Sequence, residues 1–492
     1  MNKLLRPLGG LRLLNREEHP FRCFSSSIDL VFPGRRRRHM ATTVTHPPPT
    51  ESAGSTAAAA TADPASVMLE RWGCLRGSTP ANVVADDNTA AESRTSRGQP
   101  LRVALARASP PAISFICFDR GDDGYVIAAH GDSVLFRMSW NDYFVYMAAA
   151  GKPPSLTLLP VCDIPMNERC WVSKHRFKDS FRTTGRVFDQ QDTGILRLRG
   201  GDGGEEAPPP LVAQLQIAHE PPFETAELFV LRPGHGHREW ELKTAVPIVH
   251  HDGGGERRHG MEMWQETNVA VPVGDRFMCW ANYDLATFLI CDMAAADLDN
   301  PKLLYVPLPV KPVPPKESDF DDDHHHDELI PWEYFRNIVA ADGDDTMRFV
   351  SIDNRCCCGA PVIRSLCDRS SSAFMVTIWR LALRNAGDGD GGGEPMAWVK
   401  EAVLDCEELW AMLAPCDGLP RRVYVVCPFV SSENPDVVWF VACDDDEDGK
   451  NWTVEIDVRR KTLISVVPLP PHPHSHRCIG YGKPLPAKLY GC

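Results

Sequence analysis

What most restricts this chain is the regular alternation of short branched and aromatic runs with clusters of Gly, Asp and Pro. From Ser66 onward VMLERWGCL, LRVALARA, AISFICFD, GYVIAAHG and SVLFRMSW follow one another, and the pattern resumes in AELFVLRPG, DRFMCWANY, ATFLICDM, LLYVPLP, MRFVSID, FMVTIWRLAL, DVVWFVACDD and WTVEIDV. Runs of this length bounded by turn formers are strands, because branched and aromatic side chains suit a pleated surface and Gly, Asp and Pro suit the turns between. Only ELIPWEYFRNIVA (328–340) and CEELWAMLA (406–414) have spacings that predict helix. Strands that follow one another with so little helix between them exclude a parallel βαβ fold. The chain is expected to be all-β, built as a propeller-like repeat of short antiparallel strands, with an irregular β-sandwich as the alternative.

Internal similarity points to the repeat. WELKTAV at Trp240 resembles WVKEAV at Trp398, 158 positions later, and VPLP ending at Pro309 resembles VPLP ending at Pro470, 161 positions later. Two pairs with nearly equal offsets predict a recurring unit of about 160 residues, holding three or four four-stranded blades of about 40 to 45 residues each. Trp240, Trp280, Trp398, Trp439 and Trp452 lie in or beside strand-like segments, so blade-core packing is the expected role for them.

The body begins at residue 66 and extends to 492. Residues 1–65 form a low-complexity leader. Its opening MNKLLRPLGGLRLLNREEHPFRCFSSS sets leucines among Lys3, Arg6, Arg12 and Arg16, and the RCFS string resembles a presequence cleavage site. That is the composition of a mitochondrial transit peptide. Translation from Met40 is the competing reading, with the cytoplasm, or the nucleus through Arg35–Arg38, as the compartment. Disordered inserts are expected near 199–210, 250–260, 316–328 and 384–395, where Gly, Asp, Glu and His runs interrupt the strands.

Charge narrows the partners. The formal net charge is −14, and residues 1–40 hold nine basic against three acidic side chains, so the remainder carries −20. A body this acidic repels phosphate backbones and anionic lipid, which argues against nucleic acid and membrane surfaces and leaves an unidentified protein as the expected partner. No apolar run reaches the length of a membrane helix. Asn451-Trp452-Thr453 is a glycosylation pattern that matters only in a secreted chain.

Seventeen cysteines, an odd number scattered from Cys23 to Cys492, do not form the framework of a small secreted domain and are read as reduced thiols. Cys356, Cys357 and Cys358, with Cys367, are the one cluster, and a weak metal or redox sensor is the function they would serve. Adjacent side chains on an extended segment point to opposite faces, so three consecutive cysteines do not converge on one zinc ion. His324–His326 after Asp321–Asp323, and Asp444–Asp446, read as solvated loops without a fixed ligand geometry. No nucleophile elbow, zinc-hydrolase helix or phosphate-cradling loop occurs. Residue types alone therefore assign no catalytic, cofactor-binding or metal-binding residue and no cofactor.

The strings DRFMCWANYDLATFLICDM, NPKLLYVPLPV, MRFVSIDNRCCCG, MAWVKEAVLDCEELW and PDVVWFV closely resemble the plant family, expanded in grasses, of domain-of-unknown-function 1618, most densely over 274–441. The resemblance implies a propeller-like body similar to F-box-associated domains, with no established activity and no catalytic residues to carry over. Nothing in 1–65 resembles the F-box helices. The chain is accordingly expected to be a non-enzymatic protein-interaction scaffold. An enzyme with a site assembled in a propeller channel is the rival reading.

Overall fold

The structure is a computed structural model. It describes residues 67–77, 79, 83–110, 112–119, 124–138, 142–149, 151–164, 186–198, 208–217, 224–232, 240–250, 264, 267–294, 298–312, 332–341, 345–354, 373–383, 396–416, 419, 423–443, 450–469 and 485–487. The alternation read from the sequence becomes 26 strands among these residues. Blade one contains β1 (Val67–Leu69), β2 (Cys74–Leu75), β3 (Ala85–Arg94), β4 (Pro100–Ala106) and β5 (Ile113–Phe118). Five antiparallel meanders follow. Blade two is β6 (Tyr125–His130), β7 (Ser133–Arg137), β8 (Tyr143–Met147) and β9 (Ser155–Leu158), and blade three is β10 (Thr193–Leu196), β11 (Leu211–Ile217), β12 (Thr225–Leu231) and β13 (Glu241–His250). Blade four is β14 (Val269–Val273), β15 (Phe277–Asn282), β16 (Thr287–Asp292) and β17 (Leu303–Pro307). Blade five is β18 (Arg336–Ala340), β19 (Thr346–Asn354), β20 (Phe374–Ala382) and β21 (Val399–Asp405). A helix α1 (Cys406–Leu413) leads to blade six, β22 (Tyr424–Val430), β23 (Val437–Cys443), β24 (Asn451–Asp457) and β25 (Thr462–Leu469).

The last strand, β26 (Leu485–Ala487), returns to blade one and pairs antiparallel with β1, Val67 opposite Ala487 and Leu69 opposite Leu485. β1 in turn runs parallel to β5. The first and last described strands thus lie side by side in one sheet. Pro486 sits opposite Met68 on the edge strand, where a residue without an N–H is tolerated.

Each blade buries both faces against its neighbours, so the core is divided among the seams. Val103, Phe118, Phe136 and Tyr146 fill the seam between blades one and two. Tyr143, Phe188, Val212 and Trp240 fill that between two and three, and Leu215, Leu228, Trp280 and Leu303 that between three and four. Phe288, Phe349, Trp379 and Leu381 join four to five, and Phe374, Val425, Phe440 and Val454 join five to six. The ring closes where Met68 of blade one meets Phe429, Val437 and Trp439 of blade six. Six blades with six such seams, blades three and four sharing one eight-stranded sheet, make the propeller expected from the sequence, and the sandwich alternative falls away.

The repeat holds with a different content. The first strands of blades two to six begin 67 to 88 residues apart, so the unit of about 160 residues contains two blades, not three or four. The assumed 40–45 residues allowed only tight turns, whereas 34 residues separate β9 from β10 and 19 separate β19 from β20. Two blades on, the strand order matches: β12 and β13 followed by blade four correspond to β20 and β21 followed by blade six. Trp240 immediately precedes β13 and Trp398 immediately precedes β21, and the two VPLP strings lie at the ends of β17 and β25. Trp240 is buried, stacked on Phe188 at 4.3 Å. Trp398 is half-buried, edge-on to Phe288 and Phe349, so its equivalence is of position and not of depth.

The two copies part after the outer strand. β13 continues straight and pairs in parallel with β17, Ile248 opposite Leu303, joining blades three and four at their rims. At the corresponding place Asp405 caps α1. Its side chain accepts from the Glu407 N–H at 3.0 Å, while Glu408 accepts from the Asp405 N–H at 3.2 Å. This reciprocal capping box turns the chain into a helix whose Leu409, Trp410 and Leu413 pack onto blades five and six. The helix expected at 406–414 is therefore present. That expected at 328–340 is not, because Trp332–Tyr334 form a single 3-10 turn and 336–340 form β18. β18 is walled by blades on both sides, so Ile338 and Val339 are both buried, and a strand without a polar face imitates helical spacing.

The expected inserts fall largely outside the described residues, as do residues 1–66. No helix among the described residues is long and apolar enough to cross a membrane.

The seams predict unequal costs of truncation. Trp280 is fully buried and bridges blades three and four, so Trp280→Ala should lower stability by about 3–5 kcal/mol. Trp398→Ala should cost less, and denaturant midpoints of the two variants compare them directly.

Candidate functional site: the ring mouth at the start of the inner strands

The inner strands β6, β10, β14, β18 and β22 begin at Tyr125, Thr193, Val269, Arg336 and Tyr424. Around these ends polar side chains reach from blade to blade. Arg71, just past β1, donates from Nη1 to the Ile127 carbonyl of blade two at 3.1 Å. The Tyr125 hydroxyl donates to Gln190 Oε1 in the turn before β10, and Trp280 Nε1 of blade four donates to the Asp192 carbonyl at 2.9 Å. Arg336 of blade five donates to the Tyr283 carbonyl of blade four, and Asn337 Nδ2 donates to the Pro428 carbonyl of blade six at 3.0 Å. Five successive seams are thus stitched by hydrogen bonds from inner-strand or adjacent residues. Four of these bonds satisfy backbone carbonyls, and the fifth the Gln190 side-chain oxygen, that burial would otherwise leave costly.

Burial shapes the ionisation of this belt. It pushes the Tyr125 and Tyr143 hydroxyls up to about 12 and raises Tyr283 and Tyr334 further, so these phenols keep their protons; Tyr125 donates to Gln190, while the Tyr143 hydroxyl accepts from the Phe188 N–H at 3.0 Å. Arg336, with its guanidinium 4.0 Å over the Trp332 ring, is pushed down to about 10 by burial and stays cationic at neutral pH. Asp192 is pushed up to about 6 by burial, against the opposing bonds from Gln214 Nε2 at 3.0 Å and Thr193 Oγ1 at 2.8 Å. Glu70 rises to about 7 by burial, although its Oε1 accepts from the Arg71 and Trp72 N–H groups. Glu70 Oε2 is buried and accepts no hydrogen bond among the described residues.

One aromatic at this mouth faces solvent. Trp72 is 38% exposed, and its backbone forms an isolated bridge with Tyr125. Its ring stands edge-on to Tyr125 at 4.8 Å, and the Arg137 guanidinium lies 5.5 Å from that same Tyr125 ring. Leu75, three residues on, is 44% exposed.

The clusters singled out in the sequence do not contribute to this region. Cys356–Cys358, Cys367, His324–His326 and Asp444–Asp446 all lie outside the described residues. Among the described residues no group of three or more His, Cys, Asp or Glu is arranged to hold a metal. The tryptophans follow their packing assignment, with Trp240, Trp280, Trp439 and Trp452 buried. The belt itself went unread. Its one sequence signal is Glu70-Arg71, a charged pair directly after the apolar Val67–Leu69, where a buried strand would ordinarily carry none.

Glu70 predicts a pH dependence. Its carboxyl is raised in the fold above its ordinary 4.5, so its contribution to stability is complete below about pH 4.5 and is lost as pH rises through 7. Relative to Glu70→Gln, the wild-type protein should lose on the order of 3 kcal/mol between about pH 4.5 and pH 8. Denaturant titrations of both proteins across that range measure the difference.

Three solved structures resemble the chain weakly. The complex of KlAtg21 with the coiled-coil of AgAtg16 is 8% identical, with 75% of this chain and 82% of that one covered at a TM-score of 0.29. The periplasmic gluconolactonase PpgL of Pseudomonas aeruginosa is 8% identical over 77% and 72%, TM-score 0.28. Apo AztD from Citrobacter koseri is 9% identical over 81% and 88%, TM-score 0.27. Scores this low carry no argument about what the ring does. No curated protein matches the chain. The family expected from the strings of blades four to six is found as a match: the model of DUF1618, described as protein of unknown function, matches residues 280–439, from β15 to β23.

Proposed function

We propose that this protein is a non-enzymatic scaffold that binds a protein partner at the ring mouth where the inner strands begin. Trp72 carries the reading. It is a large aromatic held half out of the surface by its contact with Tyr125, with the exposed Leu75 three residues on in the chain. Braced aromatics of this kind are the residues on which protein–protein affinity concentrates. The phenols around it hold their protons at neutral pH, which suits hydrogen-bond donation better than base catalysis. The acidic body favours a protein ligand over nucleic acid or anionic membrane.

The leader supports a second element of the reading. We infer mitochondrial import from the leucines spaced among basic residues in 1–27.

Tagged full-length protein and its Trp72→Ala variant, incubated with extract of the source organism, test the scaffold. A protein retained by the first and reduced at least about tenfold on the second is expected, since truncating a binding hot spot costs about 2 kcal/mol or more. Equal retention on both would overturn the assignment of the mouth. For the compartment, a C-terminal fluorescent fusion of the full chain should enter mitochondria while one starting at Met40 should not. The same distribution for both fusions contradicts import through the leader.

A further inference from the structure

We propose that Cys74 and Cys117 form a peroxide-sensitive dithiol whose oxidation clamps the N-terminal strand of the ring-closing blade to that blade's own meander. The two are direct partners in the parallel pairing of β2 with β5, and their Sγ atoms lie 3.2 Å apart. Neighbouring strands stand about 4.7–4.9 Å apart. That spacing falls within the Cα separation of roughly 4.4–6.8 Å that a disulfide spans, so the bond requires no displacement of the backbone. All the described cysteines are free thiols.

The surroundings favour reaction at this pair. Cys74 is half-buried and gives access from solvent, while Cys117 is buried among Ala106, Phe115, Val83 and Ile113. Cys117 is held below the ordinary thiol value by its hydrogen bond with Cys74 and, less strongly, by the nearby Arg76 guanidinium, which together outweigh burial. Cys74 is correspondingly held far above that value. The hydrogen bond between the two sulfurs thus favours the thiolate, which is the reactive form, at Cys117.

The chemistry balances with hydrogen peroxide as oxidant. The Cys117 thiolate attacks one peroxide oxygen, the O–O bond breaks, and hydroxide leaves as a sulfenic acid forms. Cys74 sulfur then attacks the sulfenyl sulfur, an S–S bond forms and the S–O bond breaks. The Cys74 thiol proton joins the hydroxide that leaves, giving one water, and the proton Cys117 released on ionising joins the first hydroxide, giving the second. Two thiols lose two electrons and the peroxide gains them. The product joins positions 43 apart in the sequence and ties β2 to β5 beside β1, the strand that also holds β26.

The experiment treats the full-length protein with hydrogen peroxide, blocks remaining thiols, and maps peptides by mass spectrometry without reduction. Cys74 and Cys117 are expected in one cross-linked species, two hydrogens lighter than the separate thiol peptides and released by dithiothreitol. The oxidised protein should melt at a higher temperature than the reduced one, and Cys74→Ser should abolish that shift without preventing folding, since position 74 is only half-buried. Recovery of both as separate blocked thiols under conditions that oxidise other cysteines of the chain would overturn the dithiol. A cross-link with no change in melting temperature would overturn the clamp.

Discussion

Everything in this ring depends on one three-residue pairing, that of β1 with β26. A propeller blade cannot bury its faces alone, and each seam is apolar only if both of its walls are present. Five blades are continuous meanders that local turns bring together. In the remaining blade the β3–β4–β5 meander is extended by the first and last described strands, so its sheet is complete only when the two ends have met. Radial closure of this kind replaces one long open sheet edge with the separate outer strands of the blades.

The seams differ in how they are held. Between blades five and six two dozen buried apolar residues interlock, reinforced by the capped helix α1, whereas Met68 meets blade six in a cluster of five. Side chains at the mouth add bonds that cross the seams. Arg71, Tyr125, Trp280, Arg336 and Asn337 each reach a neighbouring blade and fix its register by direction as well as by area. Apolar contact tolerates sliding; a hydrogen bond to a particular carbonyl does not. Strain accompanies the shape at a few points, as at Ala245 and Cys427, non-glycine residues with φ near +54° and +52° beside the bulges of β13 and β22.

The same belt sets the ionisation of the mouth. Arg71, Tyr125, Arg336 and Asn337 are engaged in holding blades together, and burial raises the phenols and the Glu70 carboxyl. Trp72, braced edge-on by Tyr125, and Leu75 of β2 are both exposed to solvent.

By itself the sequence determined the strand content, the propeller class, the capped helix at Cys406 and the family of blades four to six. Each of these rests on local pattern: branched residues alternating with turn formers, Asp405 spaced three before Glu408, and strings repeated two blades apart. The tertiary structure decided the rest. Six blades instead of a denser set follow from loops whose length no periodicity reveals, and β18 is a strand because blades wall it on both sides. The belt, the exposure of Trp72 and the meeting of Cys74 with Cys117 all arise from pairings between segments distant along the chain. Local propensity has no information about such partners, because what places them is the burial gained only when the whole ring closes.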